Sequence, residues 1–556
     1  MTSELSKPWF KFYEDGVKTQ LSIPEIGLLE MFKQTAERFP ERTALIFGEN
    51  TWTYRQMDAD VERLARAFAK NGLTAGDRIS IYMPNSANWV ISFFALMRLG
   101  AVVVQTNPLY VEDELKAQLQ DAGATGIVSV PPLLPRILAI KEQTELKVVA
   151  IDALKAYGIQ PNQFVLDLNE MLADSSSDLL DLALPQVQPA TTVAVLQYTG
   201  GTTGTPKGCM LTHRNLVANA LQAWEWIKNE EVEVERVLTV LPLFHIYALT
   251  ACMNLAMISG GSMIILPKFD IGMVLQHIND YKPTFFPGAP TMYVAVINHP
   301  QIKDFKVSSI RVCLSGSAPL PLEVAVRFGE LTGGRLVEAY GLSETSPATH
   351  FNPIYHARAG SIGVPIPNSE AKIVDLISGE TTLQPGEIGE LVIKGDQVML
   401  GYWQKPEETK AVLRDGWLYT GDIARMDEDG FFYIVDRKKD IIITGGYNVY
   451  PRDIEEVLYQ HPAIKEVVCA GIQDKYWGEM VKAYVVLKAE QNVSEQELLA
   501  FCQKKLAAYK IPKKIEIRET LPRTAVGKVL RRFLIDEEKQ KAEAVQSSIN
   551  NLEQTS

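Results

Sequence analysis

An α/β fold is what this sequence predicts: a large N-terminal body of parallel sheets and helices, a β-rich attachment, and a small C-terminal α+β domain. Three observations predict it. From about residue 44 to 345, apolar runs of strand length alternate with segments of helical period, which implies parallel pairing. Near 360 the texture changes to short alternating runs with Gly/Pro turns, as in Gly386-Glu387-Ile388-Gly389-Glu390-Leu391-Val392-Ile393. The chain also has 556 residues, more than one hydrophobic core usually organises. The charged interruption Asp436-Arg437-Lys438-Lys439-Asp440 between two apolar runs marks the expected boundary. It divides the chain into 1–437, with a β-rich subdomain at about 360–437, and 438–556.

The elements follow in order. A helix holds Leu28, Met31, Phe32 and Ala36, and a strand surrounds Ala44-Leu45-Ile46-Phe47. A helix from about Met57 to Asn71 places Val61, Leu64, Ala65 and Phe68 on one face. The strand Arg78 to Met83 leads to a helix ending at Leu99 and a strand from Ala101 to Val104. Further strands are expected at 125–130 and 309–314. The run from Ile246 to Leu266 carries no charged side chain and passes a hydropathy window. Asn254, Ser259-Gly260-Gly261-Ser262 and Pro267 nevertheless divide it into a helix and a short strand, so a membrane span is not expected. Past the boundary come a helix from Pro451 to Tyr459, strands near 467–470 and 483–487, a helix from Ser494 and a strand at Ile515-Glu516-Ile517. After Leu534 the chain turns polar.

Apolar residues make up 46% of the chain and charged residues 22%, as in an ordinary globular protein. A net charge of −12 argues against nucleic acid as a partner, so an anionic ligand must be met by local positive charge. Five cysteines are scattered without metal-binding spacing, and their odd number argues against a disulfide framework. The N-terminus lacks the order of a signal peptide. A cytoplasmic location is expected. Peripheral association with the inner face of the membrane and a homodimer are both compatible with the sequence.

The chemistry is concentrated first in Tyr198-Thr199-Gly200-Gly201-Thr202-Thr203-Gly204-Thr205-Pro206-Lys207-Gly208, which follows the apolar run Val193-Ala194-Val195-Leu196 and precedes a helix from Asn215. Its glycines let the backbone approach an anion, and the threonine hydroxyls and Lys207 add donors and positive charge. The spacing misses the Walker pattern, so a standard P-loop nucleotidase is disfavoured. A flexible linker is the bland alternative, against which the adjacent Thr and Lys donors argue.

This stretch resembles the signature of the adenylate-forming superfamily, which includes acyl-CoA synthetases, firefly luciferases and the adenylation domains of peptide synthetases. Tyr340-Gly341-Leu342-Ser343-Glu344-Thr345 is similar to its second signature. The resemblance implies an aromatic flank for adenine from Tyr340, an α-phosphate contact from Thr345, and magnesium held by Glu344 with Thr199. A hard cation does prefer carboxylate oxygen. A serine-hydrolase elbow at Ser343 fails because Thr345 stands where glycine is required. Ser315-Gly316-Ser317-Ala318 resembles the adenine-contacting segment, although small residues after a strand are also simply a tight turn. Tyr419-Thr420-Gly421-Asp422 resembles the ribose-binding segment, with Arg437 as the partner of Asp422. Pro522-Arg523-Thr524-Ala525-Val526-Gly527-Lys528 resembles the loop of the catalytic lysine, which makes Lys528, Lys207 and His245 the expected catalytic side chains.

The implied reaction joins a carboxylate to ATP, releases pyrophosphate, and then passes the acyl group from the adenylate to a thiol. Family members turn the small domain about a hinge between the two steps, and Lys439 falls at that hinge. A solvated charge pair is the alternative for Lys438-Lys439. Leu241-Pro242-Leu243-Phe244-His245 matches the motif in which amino-acid-activating members carry an Asp, and no acidic residue lies nearby. Leu249, Met253 and Met257 fit one wall of an alkyl tunnel or an ordinary core stripe. The stretches 107–115 and 210–216 are similar to bacterial long-chain fatty acyl-CoA synthetases, and Thr444-Gly445-Gly446-Tyr447 to the CoA-facing loop of acyl-CoA ligases. The expected substrates are therefore a long-chain fatty acid, ATP and CoA, with Mg2+. A medium-chain or aryl-acid CoA ligase, or a fatty acyl-AMP ligase loading a carrier protein, is the alternative.

Overall fold

The computed structural model describes residues 7–174, 182–199, 206–229, 231–444, 447–474, 477–524 and 529–541. By compactness the chain divides into one unit of residues 1–371, 393–418 and 429–431 and another of residues 372–392, 419–428 and 432–556.

In the first unit an eight-stranded sheet runs in the order Gly401–Tyr402, Lys207–Thr212, Val193–Thr199, Val102–Gln105, Arg78–Tyr82, Gly126–Ser129, Val148–Ile151, Val165–Asp167. From Val193–Thr199 onward it is parallel. A second sheet carries Arg236–Thr239, Ser262–Ile265, Thr43–Phe47 and Asn50–Thr53, and a third Val312–Ser315, Arg335–Gly341, Ala348–Phe351 and Val364–Pro365. The helix Ala87–Leu99 is buried along its whole length, with Trp89, Phe93 and Phe94 fully enclosed. A helix apolar all round has to lie inside the protein.

Local chemistry fixes where elements begin. The helix expected from Met57 starts at Tyr54, because Thr53 and Gln56 form a capping box that satisfies two otherwise orphan donors. The helix expected from Asn215 starts at His213 for the same reason, with Thr212 and Asn215 as the box. Gly100 ends the helix Ala87–Leu99 in the left-handed conformation.

The run 246–266 divides as expected, but its helix is irregular: Ile246–Ala248 is followed by a π-helical turn, Leu249–Asn254, and by Leu255–Ser259 before the strand Ser262–Ile265. The π turn changes the helical register, so Leu249, Met253 and Met257 do not form a simple i, i+4, i+8 stripe. All residues from 246 to 257 are buried. Among the described residues no helix is long and apolar enough to cross a membrane.

In the second unit the central strand Gly478–Leu487 pairs antiparallel with the edge strand Ile464–Asp474 and with Ile442–Thr444, and parallel with Lys514–Arg518, while Tyr447–Val449 extends the sheet beyond Ile442–Thr444. The helices Pro451–Tyr459 and Glu495–Gln503 cover it over a core that includes Ile454, Leu458, Val485 and Leu498. Strand Trp417–Met426 pairs antiparallel with Phe432–Arg437, setting Asp422 opposite Arg437. The expected β-rich texture is present in Glu370–Val374, Gly389–Lys394 and Leu413–Arg414 as well.

Candidate active site

The glycine-rich stretch lies between two strands that pair antiparallel, Val193–Thr199 and Lys207–Thr212, with Thr199 opposite Lys207. The sequence reading anticipated the first strand and missed the second. Its composition, Lys-Gly-Cys-Met-Leu-Thr, carries little strand signal, and its pairing with Val193–Thr199 decides it. Gly200, Gly201, Thr202, Thr203, Gly204 and Thr205 lie outside the described residues.

Several contacts hold the base of the hairpin. Tyr198 donates from its hydroxyl to Asp121 at 2.7 Å, and Lys405 reaches the other oxygen of Asp121 at 3.2 Å. A Cβ at Gly208 would press on the Tyr198 ring at 3.2 Å, so glycine permits this close packing. The segment 399–403 runs along Lys207–Thr212: Leu400 N–H donates to Met210 O, Trp403 N–H donates to Gly208 O, and Tyr402 pairs with Cys209. Burial, with the Glu344 charge adding to it, raises the Cys209 thiol well above the usual range, so it stays protonated and unreactive.

Glu344 lies on the single turn Ser343–Thr345, which packs against the two hairpin strands. Its backbone carbonyl accepts from Met399 N–H at 2.8 Å, and its Oε1 accepts from the Tyr402 hydroxyl at 2.8 Å. Burial, and then the Glu344 charge, raise the Tyr402 phenol, which therefore remains a donor. The Lys207 ammonium stands 5.1 Å from the centroid of the same ring. The other Glu344 oxygen has no partner among the described residues. This donor set suits Mg2+, which typically takes one or two carboxylates and completes its shell with water and phosphate. Thr345 is fully buried, and its hydroxyl bonds to the Leu342 and Pro347 backbone, so in this structure it shapes the turn. Gly341 is required there, since a Cβ would overlap the Pro347 carbonyl.

Around this centre the other expected positions are distributed as follows. Tyr340 is the penultimate residue of strand Arg335–Gly341, with its ring edge-on to His350 at 5.9 Å. Gly316 follows strand Val312–Ser315, and its flat face receives the Tyr247 ring, which a Cβ would meet at 3.0 Å. Ser317 takes a positive φ of 70°, which turns the chain toward Ala318. His245 caps the short helix Ile246–Ala248, its Nδ1 accepting from Tyr247 N–H at 3.2 Å. The loop before it is pinned by Asn85, which donates to Leu241 O and accepts from Leu243 N–H, and by Gln197, which donates to Phe244 O. Sequence reasoning missed Asn85, Asp121 and Tyr402 because each acts on residues remote in the chain.

In the second unit, Asp422 Oδ1 lies 2.6 Å from Arg437 Nε, and the Asp422 side chain is 1% exposed. Lys438 donates to Glu390 at 2.8 Å, so it is ion-paired rather than simply solvated, and both Lys438 and Lys439 are exposed on the turn. Tyr447 opens the strand Tyr447–Val449, while Gly445, Gly446 and Lys528 lie outside the described residues.

Comparison with known proteins gives the site its context. Residues 32–403 match the AMP-binding enzyme family, and residues 453–528 match the AMP-binding enzyme C-terminal domain. The chain is 46% identical over 550 residues to a long-chain-fatty-acid–CoA ligase of Bacillus subtilis, covering 96% of this chain and 98% of that one. It is 38% identical over 568 residues to the enzyme of the same name from Escherichia coli O6:H1, covering 97% and 100%. The solved structure of an anthranilate CoA ligase in complex with anthranoyl-AMP superposes with a TM-score of 0.84 at 28% identity, covering 94% of this chain and 99% of that one. With its glycine-rich hairpin, its glutamate turn and relatives aligned along nearly its whole length, this chain belongs to the AMP-binding enzyme family.

Proposed function

We propose that the protein is a long-chain fatty acid:CoA ligase that forms acyl-CoA, AMP and pyrophosphate through an acyl-adenylate. The observation that carries this reading is the convergence of Lys207 and Glu344 on Tyr402 at the base of the glycine-rich hairpin, within a chain aligned end to end with long-chain-fatty-acid–CoA ligases. In the first step a carboxylate oxygen attacks the α-phosphorus and the bond to pyrophosphate breaks. Both reactants are anions, so fixed cations and oriented donors have to offset their repulsion. Lys207 and the hairpin donors bind the phosphates, Asp422 accepts from the ribose hydroxyls, and Tyr340, Gly316, Ser317 and Ala318 border the adenine. Lys528 donates to the oxygens at the reacting centre. Glu344 and Thr199 would hold Mg2+ through their oxygens, and the ion would supply charge neutralisation on the phosphates.

In the second step the CoA thiol attacks the acyl carbonyl and AMP leaves, with Gly445, Gly446 and Tyr447 facing the pantetheine arm and Lys439 at the hinge. His245 orients the acyl carboxylate. The buried, uncharged segment from 246 to 257 supports an apolar acid and offers nothing to pair an amine. Five buried free cysteines support a reducing, cytoplasmic setting.

The test is pyrophosphate release over straight-chain acids of graded length, with and without CoA. An apolar site gains roughly 0.8 kcal/mol per buried methylene, so kcat/KM should climb with length until the site is full. A flat profile, or a preference for a cinnamate-type acid, would overturn the fatty-acid assignment. Adenylate accumulation without CoA consumption would favour the acyl-AMP ligase instead.

A further inference from the structure

Tyr402 has a position that the reaction as described does not use. It lies 58 residues beyond Glu344 on a two-residue strand, Gly401–Tyr402, held against Lys207–Thr212 by pairing with Met210 and Cys209. Residues opposite one another in an antiparallel pair project to the same face, and so do residues two apart on one strand. Tyr402, Cys209 and Lys207 therefore share a face, which is why the Lys207 ammonium comes to 5.1 Å from the Tyr402 ring centroid. The same ring carries the hydroxyl that donates to Glu344 at 2.8 Å. Its own backbone is fixed in turn: Tyr402 N–H donates to Thr409 Oγ1 at 2.9 Å, and the neighbouring Met399 N–H donates to the Glu344 carbonyl at 2.8 Å.

We infer that Tyr402 is a positioning residue that sets the spacing between the phosphate-binding cation Lys207 and the metal-binding carboxylate Glu344, using its ring for the first and its hydroxyl for the second. The inference rests on the reading of Glu344 as a magnesium ligand. A carboxylate on a single turn can rotate through several rotamers. A hydrogen bond to one of its oxygens selects one rotamer and leaves the other oxygen to face the metal, so the metal does not bear the full ordering cost.

The two functions of the ring separate by substitution. Tyr402→Phe removes only the hydroxyl, and Tyr402→Leu removes the ring as well. The measurement is equilibrium binding of α,β-methylene-ATP by calorimetry, with Mg2+ titrated from zero, on full-length protein whose melting temperature matches the parent. Tyr402→Phe should weaken Mg2+-dependent binding about 10-fold, as expected for loss of one hydrogen bond to a charged group, and leave metal-free binding unchanged. Tyr402→Leu should also weaken metal-free binding, by about 2- to 5-fold, because Lys207 loses its aromatic support. Glu344→Gln is the reference and should flatten the Mg2+ dependence. If Glu344→Gln flattens it and Tyr402→Phe matches the parent, the inference is overturned while the reading of Glu344 stands. If Tyr402→Phe weakens metal-free and Mg2+-dependent binding equally, Tyr402 is structural and the inference is again overturned. If Glu344→Gln keeps the full Mg2+ response, the reading of Glu344 fails and the inference falls with it.

Discussion

Replacing Asp422 with Asn removes a charge while keeping the shape of the side chain, and it has two separable consequences. The first concerns stability. Asp422 is 1% exposed and Arg437 is 33% exposed, with their charged atoms 2.6 Å apart. Removing one partner of a buried pair costs about 3–5 kcal/mol when the other stays buried and uncompensated. In Asp422→Asn the remaining partner is Arg437, which water already reaches, so the cost should fall to about 2 kcal/mol. In Arg437→Met the remaining partner is the enclosed carboxylate, so the cost should exceed that of Asp422→Asn.

The second consequence concerns nucleotide binding. Hydrogen bonds to an ionised acceptor contribute roughly 1.5–3 kcal/mol each, so Asp422→Asn should raise the KM for ATP by about 10- to 100-fold. The KM for the fatty acid should stay within about 2-fold. Urea denaturation of both variants and paired KM determinations on one folded preparation give the readouts. Equal rises in the two KM values would refute the ribose role. A greater loss of stability in Asp422→Asn than in Arg437→Met would refute the argument from unequal burial.

Two further predictions concern the first unit. Gly341→Ala would drive a Cβ into the Pro347 carbonyl and should cost about 3 kcal/mol, read as a lower melting temperature. Gly272→Ala is the control, since its Cβ would meet only the Asp270 carboxylate at 3.4 Å, and it should change stability by at most about 1 kcal/mol. Burial lowers the His213 imidazole from 6.5 to about 4, and its Nδ1 accepts from Leu28 N–H at 3.2 Å. The unfolded chain thus binds the proton first, and the contribution of His213 is present above pH 6.5 and lost as pH falls toward 4. Between pH 7.5 and 5 the parent should lose about 2 kcal/mol through this group. His213→Gln, whose amide oxygen can accept the same bond, should show a shallower loss in urea midpoints, and an unchanged slope would remove His213 as a cause.

The sequence by itself determined the alternation of strands and helices and the family. These are properties of local pattern: apolar period, turn residues and short motifs survive in one dimension because each is decided by neighbours within about one element. Capping boxes at Thr53 and Thr212 are equally local, and they moved helix starts by only two or three residues. What the tertiary structure decided is which remote residues meet. Lys207–Thr212 is a strand because Val193–Thr199 offers it an edge, and the π turn at Leu249–Asn254 breaks a stripe that looked regular in sequence. Asn85 holds the loop before His245 across 158 positions. Only the pairing of Gly401–Tyr402 with Lys207–Thr212 brings Tyr402 to both Glu344 and Lys207. Hydrogen bonds and ring contacts act over a few ångströms of space, and the separation of two residues along the chain carries no information about that distance once the chain has folded.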